Sequence, residues 1–316
     1  MSTNTGTVGG IGGTHFLIVS DSHVGYSVYG ERLSRAVELA RAAAAADGGT
    51  IDSTIHCGDG CESPQYSFLE WWDGPEPVIM APGNWDTETL PGEPAPPDPF
   101  ATFRSRFPWF TTGREWARVS RGKVSIYILS NCDDVLPPSG WSSYGNCNPP
   151  GDPHALNPSW SGILDPGSEQ RQWLAAELAQ DTHQLKIAVA HRPGFAPFSG
   201  VSRPVFDAYG ELIASLPFDW AYSGDIHIGS VVGPIGVRGT IFATLSGGYT
   251  NRQVDMGAYP GLPVLWAQGS ISGSSGLAHC GLLTLTDTGS RLRVYQASNA
   301  DPAGGLAFEH TRSNAG

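Results

Sequence analysis

Short apolar runs, each ending in a polar turn, recur along most of this chain. "HFLIVSDSH" (15–23) reads as a buried strand that delivers Asp21 and His23 at its C-terminal end. "ERLSRAVELARAAAAAD" (31–47) spaces its apolar residues as a helix does and is rich in alanine, so it predicts a helix. "IDSTIHCGDG" (51–60) and "EPVIMAPGNWD" (76–86) repeat the strand-to-turn pattern. "RVSRGKVSIYIL" (118–129) predicts a hairpin, and "SEQRQWLAAELAQD" (168–181) a helix capped by Ser168. "LKIAVAHRP" (185–193) is another strand with a polar end, "PVFDAYGELIASL" (204–216) a helix, and "FDWAYSGDIH" (218–227) the last strand of the series.

The β-α-β rhythm implies a sheet whose strand ends share one edge, where α/β proteins bind ligands. Farther on, "GTIFATLSGG", "HCGLLTLTD" and "SRLRVYQA" alternate β-type runs with glycine-rich turns. "PGEPAPPDPF" (91–100) is a loop, and 133–167 is too rich in Pro and Gly for regular structure. A loop of that length is a lid, a binding surface or disordered. With no internal repeat and no linker, residues 1–300 read as one domain and 301–316 as a flexible tail.

Composition narrows the function classes. Among 316 residues, 40% are hydrophobic and 15% charged, an ordinary globular balance. A net charge of −12 argues against wrapping a polyanion, which is bound by neutralising its phosphates with Lys and Arg. A local positive site made by metal ions escapes that argument. No stretch reaches the roughly 18 apolar residues that span a membrane, and the N-terminus lacks the basic region of a secretory signal. Five cysteines do not suggest a disulfide framework, so a cytoplasmic location is expected.

Candidate chemistry lies at the strand ends. They carry Asp21 and His23, then Asp59, then Asn84, then His191, then Asp225 and His227. Each alone is an ordinary turn former or structural histidine. Together, in one structural context, they form an oxygen-and-imidazole ligand set suited to Mn, Fe, Zn or Mg rather than to soft thiolate metals.

The ordered blocks "DSH", "GDG", "GNWD", "AHRP" and "GDIH" resemble the calcineurin-like metallophosphoesterases, over roughly residues 14–250. "SEQRQWLAAEL", and "LSGGY" followed by "AHCGLLTL", are similar to the purple acid phosphatase branch. No Tyr follows Asp59 to make that branch's iron–tyrosinate centre, so the resemblance stays with the superfamily. It implies a four-layer α/β/β/α sandwich with a dinuclear metal centre. Asp21, His23 and His227 are implied to hold one ion, Asn84, His191 and Asp225 the other, with Asp59 bridging. The implied reaction is attack of a bridging hydroxide, in line, on a small phosphomonoester or phosphodiester. Two ions about 3.5–4 Å apart make such a nucleophile available near neutral pH. A small phosphorylated molecule or nucleotide is the expected partner, rather than a long nucleic acid or a membrane. Nothing in the sequence resembles a Gly-x-Ser-x-Gly elbow or a Cys/His protease signature.

Two positions depart from that pattern. Asp225 stands where the last block usually begins with His, adding a negative charge and a harder ligand; read as a turn cap instead, it leaves the second ion weakly held. Trp85 stands where the resemblance implies a His that stabilises the phosphoryl oxygens or protonates the leaving group. Indole donates a hydrogen bond but transfers no proton at neutral pH. Three outcomes follow: substrates with good leaving groups, another acid such as His56 or His154, or loss of hydrolysis. Trp85 is also read as a stacking platform for a base or sugar. Asp86 is expected to orient its neighbours, and Arg192 either contacts a substrate phosphate or forms a surface ion pair. Competing readings are a non-hydrolytic metal- or phosphate-binding relative, and a hydrolase or lyase acting on another bond.

Overall fold

The computed structural model describes residues 13–23, 30–60, 67–83, 85–86, 100–110, 114–131, 163–195, 197, 203–247, 254–255, 261–269 and 276–313. Asn84, His154 and most of the 133–167 loop lie outside them.

Two mixed sheets face each other. The first has the order β13-β12-β11-β1-β2-β3 and the second β10-β8-β9-β7-β6-β5-β4. The strands span Thr14–Val19 (β1), Thr50–His56 (β2), Val78–Met80 (β3), Ala117–Arg121 (β4), Val124–Ile128 (β5), Leu185–Val189 (β6) and Trp220–Ser223 (β7). Gly229–Ile235 (β8), Thr240–Thr244 (β9), Val264–Gln268 (β10), Ala278–Thr286 (β11), Gly289–Ala297 (β12) and Gly305–Ser313 (β13) complete them. β1, β2 and β3 run parallel, as do β5, β6, β7 and β9.

Side-chain alternation sorts the layers. Val124, Ile126, Ile128, Ile187, Val189, Trp220, Tyr222, Ile241 and Ala243 turn from the second sheet into the core that they share with Phe16, Ile18 and Leu283 of the first. Their neighbours Tyr127, Ala188, Ala221 and Phe242 face the other way. There they meet Leu174 of α4 (Glu169–Gln180) and Tyr209 and Ile213 of α5 (Arg203–Ala214). On the far side, α1 (Gly30–Ala46) buries Leu33, Ala36, Val37, Ala40 and Ala44, one stripe at helical spacing, against β11 and β12. The result is the four-layer α/β/β/α sandwich. Ser168 caps α4 by accepting the Arg171 N–H at 3.2 Å, and β4 pairs antiparallel with β5 as the expected hairpin.

The structure corrects two expectations. The segment expected to be a tail contains β13, paired antiparallel with β12 along its length. Phe308 and His310 of β13 stack at 9° to each other, and Phe308 lies over Trp266 of β10 in the opposite sheet. The ligand-bearing strand ends also belong to two sheets rather than one. Face-to-face packing aligns the C-terminal ends of both parallel sets, so they converge on one cleft.

Arg312 of β13 clamps the two sheets. Its Nη1 lies 2.6 Å from the Asp219 carboxylate at the start of β7, which also takes Arg238 Nε at 2.8 Å and the Lys186 N–H at 2.8 Å. Asp219 is fully buried, so its charge depends on these donors. Asp219→Ala is expected to lower the stability by about 2 kcal/mol, toward the low end for a buried ion pair because the exposed Arg238 rehydrates. A chemical denaturation midpoint that does not move would contradict this.

Candidate metal centre

The cleft is built from turns that continue the sheet ladders. After β1, the Asp21 N–H donates to Gly58 O and the His23 N–H to Asp59 O, both at 3.0 Å, which ties the turn after β1 to the turn after β2. In the second sheet the Gly224 N–H donates to His191 O at 2.8 Å. Ile226 and Ile228 are buried against Phe206 of α5 and anchor the turn that carries Asp225 and His227. A Cβ on Gly224 would collide with the Ser20 hydroxyl and the Asp21 carboxylate, so only glycine lets this turn close over β1.

Six described non-glycine residues have positive φ, and five of them are candidate ligands: Asp21 (49°), His23 (42°), Asp59 (58°), Asp225 (66°) and His227 (53°). Such conformations cost on the order of 1–3 kcal/mol each and persist where the surroundings enforce them. Here the enforced conformation aims acceptor atoms at one another.

Among the described residues two triads place their ligand atoms within 4.8 Å: Asp21, His23 and His227, and Asp21, Asp59 and His191. His227 Nε2 is 3.4 Å from Asp21 Oδ1, and His23 Nε2 is 3.4 Å from His227 Nε2. Asp59 Oδ2 reaches both groups, 3.2 Å from His191 Nε2 and 3.9 Å from His23 Nε2. His191 Nδ1 lies 2.9 Å from Cys57 O and donates to it, so Nε2 is the nitrogen presented to the cleft. Asp225 Oδ1 lies 3.8 Å from His191 Nε2 but belongs to neither triad. Its backbone N–H bonds both oxygens of Asp21 at 3.1 Å.

Charge follows this geometry. Burial raises the Asp21 carboxyl, but the hydrogen bond and charge of His227, then His191 and His23, outweigh it and hold the group far below the usual range. Burial acts on Asp59 in the same way and is outweighed by His191 and His23. Burial lowers His191, yet Asp59, Asp21 and Asp225 lift it to about 10. His227 is likewise raised, by Asp21 against its burial. His23 is lowered, mainly by burial. The carboxylates thus favour a proton on His191 and raise His227 in the same sense.

Other expected residues take definite places. Asp86 Oδ2 accepts the N–H groups of Asp59 (2.9 Å) and Gly83 (2.8 Å), which fixes the turn carrying Asp59. The Trp85 N–H donates to Asp59 Oδ1 at 2.9 Å, and its half-buried ring stands edge-to-face with His23, centroids 5.8 Å apart. Arg192 is buried rather than a surface ion-pair residue. Its main chain is held on both sides by Asn131, through Arg192 N–H to Oδ1 and Nδ2 to Arg192 O, both at 2.9 Å. His56 does not serve as a replacement acid. Its Nδ1 accepts the Gly58 N–H and its Nε2 lies 3.0 Å from Ser22 Oγ, while burial drives its pKa down to about 3.

Three contributors escaped sequence reasoning. The Cys57 carbonyl belongs to the main chain, which leaves no residue-type signal, and the Asn131 side-chain amide acts on the main chain of Arg192 from a distant point in the sequence. Ser20, whose hydroxyl donates to Asp21 Oδ2 at 2.6 Å, was signalled only by its position beside Asp21.

Buried carboxylate oxygens and imidazole nitrogens converge within 4.8 Å of one another, and this donor set fits hard or borderline divalent cations. Cys57 and Cys280 are free and buried, and burial pushes both thiols up, so neither offers a thiolate.

The family model for calcineurin-like phosphoesterases matches residues 14–229, and the chain belongs to that family. No curated protein matches it in sequence. Among solved structures it is similar to "GAP50 the anchor in the inner membrane complex of Plasmodium", with TM-score 0.57, 10% identity, and 95% of this chain and 89% of that one covered. It is also similar to PhoD, with TM-score 0.56, 12% identity and coverage of 98% and 71%. At these identities the likeness concerns the fold alone. No described helix is long and apolar enough to cross a membrane.

Two outcomes are expected. Asp59→Ala should remove most bound metal, because Asp59 Oδ2 faces the imidazoles of both triads; elemental analysis showing full metal content would make Asp59 only a turn residue. Ion binding at His191 must also displace the proton favoured there. Affinity should therefore rise between pH 6 and 8, by about tenfold per pH unit for each proton displaced. Calorimetric Mn²⁺ titrations in buffers of different ionisation enthalpy measure that release, and a pH-independent affinity would count against it.

Proposed function

We propose that this chain is a metal-dependent phosphoester hydrolase acting on a small phosphomonoester or phosphodiester. The observation that carries the reading is the pair of triads sharing Asp21, with Asp59 reaching both. Asp21, His23 and His227 would hold one divalent ion. His191, Asp225 and Asn84 would hold the other, and Asp59 would lie between them. When bound, two such ions supply positive charge for the phosphoryl oxygens and the acidity that makes a water nucleophilic.

The chain's own residues do the rest. Asp86 holds the Asp59 main-chain N–H and the Trp85 N–H bonds the Asp59 carboxylate, so little reorganisation accompanies charge development. Arg192, locked by Asn131 next to His191, is the proposed contact for a phosphoryl oxygen. The 133–167 loop is proposed to set substrate choice, as loops at strand ends do. The acidic chain favours a small ligand over a polymer. Mn, Fe or Mg is favoured over Zn at the oxygen-rich second position, and a cytoplasmic location accords with free thiols at Cys57 and Cys280.

Trp85 beside His23 gives this reading a direction. Its indole takes the place of a proton donor, and His56 is committed to Ser22 and Gly58. Leaving groups that depart as stable anions, such as phenolates or phosphates, need no proton. A second reading, metal or phosphate binding without turnover, draws on the same Trp85. A series of aryl phosphates and diesters of graded leaving-group acidity separates them. Wild-type kcat/KM should fall steeply as the leaving-group pKa rises, and Trp85→His should flatten that slope, a general acid usually being worth roughly 10²–10⁴-fold. A shallow slope unchanged by the substitution would refute the leaving-group argument, and a metal-loaded protein inert to every ester would favour the binding reading.

A further inference from the structure

Behind the ligand turns lies a histidine that the chemistry above does not use. His279, in β11, is completely buried, and among the described residues neither ring nitrogen has a hydrogen-bond partner. Burial drives its pKa down to about 3, so the ring is neutral. It stands edge-to-face with Trp266, centroids 5.4 Å apart at 87°. Together with Trp266, whose Cη2 would be nearest, it fills the place where a side chain on Gly229 would be: a Cβ there would come within 2.8 Å of the His279 Cε1 and 2.9 Å of its Nε2. Gly229 follows His227 by two residues and is the first residue of β8.

The main chain of His279 leads back to the same triad. Its N–H donates to Ser246 O at 2.7 Å, and Ser246 itself buries an unpaired hydroxyl. Beside them Gly247 bridges to Ala278, and its Cα packs so closely on the Ser20 and Asp21 carbonyls that no Cβ would fit. One residue thus abuts the turn of His227 through its ring and the turn of Asp21 through its strand.

Packing alone does not account for an imidazole here. Two buried, unpaired nitrogens penalise folding, and an apolar side chain would remove that penalty. Unpaired groups of this kind in a folded protein call for a role or a bridging water.

We propose that His279 is a positioning residue for the Asp21–His23–His227 triad, bracing the 224–229 turn through Gly229 at a cost to folding. The inference rests on the metal-centre reading, and its test separates the two. The probe is Mn²⁺ alone, followed by calorimetry and by the electron paramagnetic resonance of the bound ion, with thermal unfolding measured in chelator. His279→Leu should leave the metal-free melting temperature unchanged or higher. It should weaken one Mn²⁺ by about ten- to a hundredfold, the range for residues that orient metal ligands, and alter that ion's spectrum. His279→Gln, which keeps a polar group, should recover part of the affinity. Combined with His227→Ala, His279→Leu should cause no further loss, since both act on the same ion. A lower melting temperature with Mn²⁺ affinity and spectrum unchanged would show that His279 only fills space, and additive losses with His227→Ala would overturn its action through that turn. If His279→Leu does not fold, His279→Gln with wild-type affinity and spectrum decides against the proposal. Wild-type protein that takes up no Mn²⁺ would sink the metal-centre reading and this inference with it.

Discussion

The buried carboxylate of Asp21 is the constraint on which the cleft depends. A carboxylate with no solvent exposure survives only where donors surround it. This one takes the Ser20 hydroxyl, both branches of the Asp225 N–H bond and the Nε2 face of His227. Ser20 belongs to the end of β1 in the first sheet, while Asp225 and His227 follow β7 in the second. One buried charge therefore fastens the two sheets where they open. Gly224 permits the approach, because a side chain there would occupy the carboxylate's position.

Everything else about the site follows from satisfying that charge and the one beside it. Asp59 is held by the N–H of Trp85, and its own N–H by Asp86, so its carboxylate is fixed before any ion or substrate arrives. The left-handed backbone at five candidate ligands is strain that an isolated loop would release. It is retained because the turns are bonded to each other and to apolar anchors such as Ile226 and Ile228. The converging carboxylates raise His191 and His227, and a bound cation would offset the same negative charge.

The ligand-bearing strands were legible because a parallel strand is buried on both faces and reads as an uninterrupted apolar run, with its polar C-terminal residue standing out. FLIVSD and IAVAH both have that form. β13 was not legible, since it is an edge strand whose residues are half or fully exposed. Its inward positions Phe308, His310 and Arg312 alternate correctly, but a histidine and an arginine do not register as core residues. β8 was hidden for another reason: Gly229, Gly233 and Pro234 punctuate it as they would a loop. Within the site, residue type pointed to Asp21, His23, Asp59, His191 and His227. It said nothing of the Cys57 carbonyl that selects the His191 tautomer, because main-chain acceptors are common to all residues. Nor did it distinguish His56 from the histidines of the triads. Only burial and the engagement of both its ring nitrogens mark it as structural.

The two departures, Asp225 and Trp85, share a property visible only in the structure. Each supplies a main-chain N–H to a ligand carboxylate, Asp225 to Asp21 and Trp85 to Asp59. Any non-proline residue offers that N–H, so the scaffold of the cleft is indifferent to the side chain at both positions. Their side chains, by contrast, project beside the imidazoles, Asp225 3.8 Å from His191 and Trp85 edge-to-face with His23. A carboxylate at 225 adds charge and ligand hardness there, and an indole at 85 removes a proton source. Both changes alter the chemistry beside the imidazoles without disturbing where the carboxylates stand. This separation of backbone support from side-chain chemistry explains how the cleft keeps its converging carboxylates and imidazoles while the side chains at 225 and 85 are free to differ.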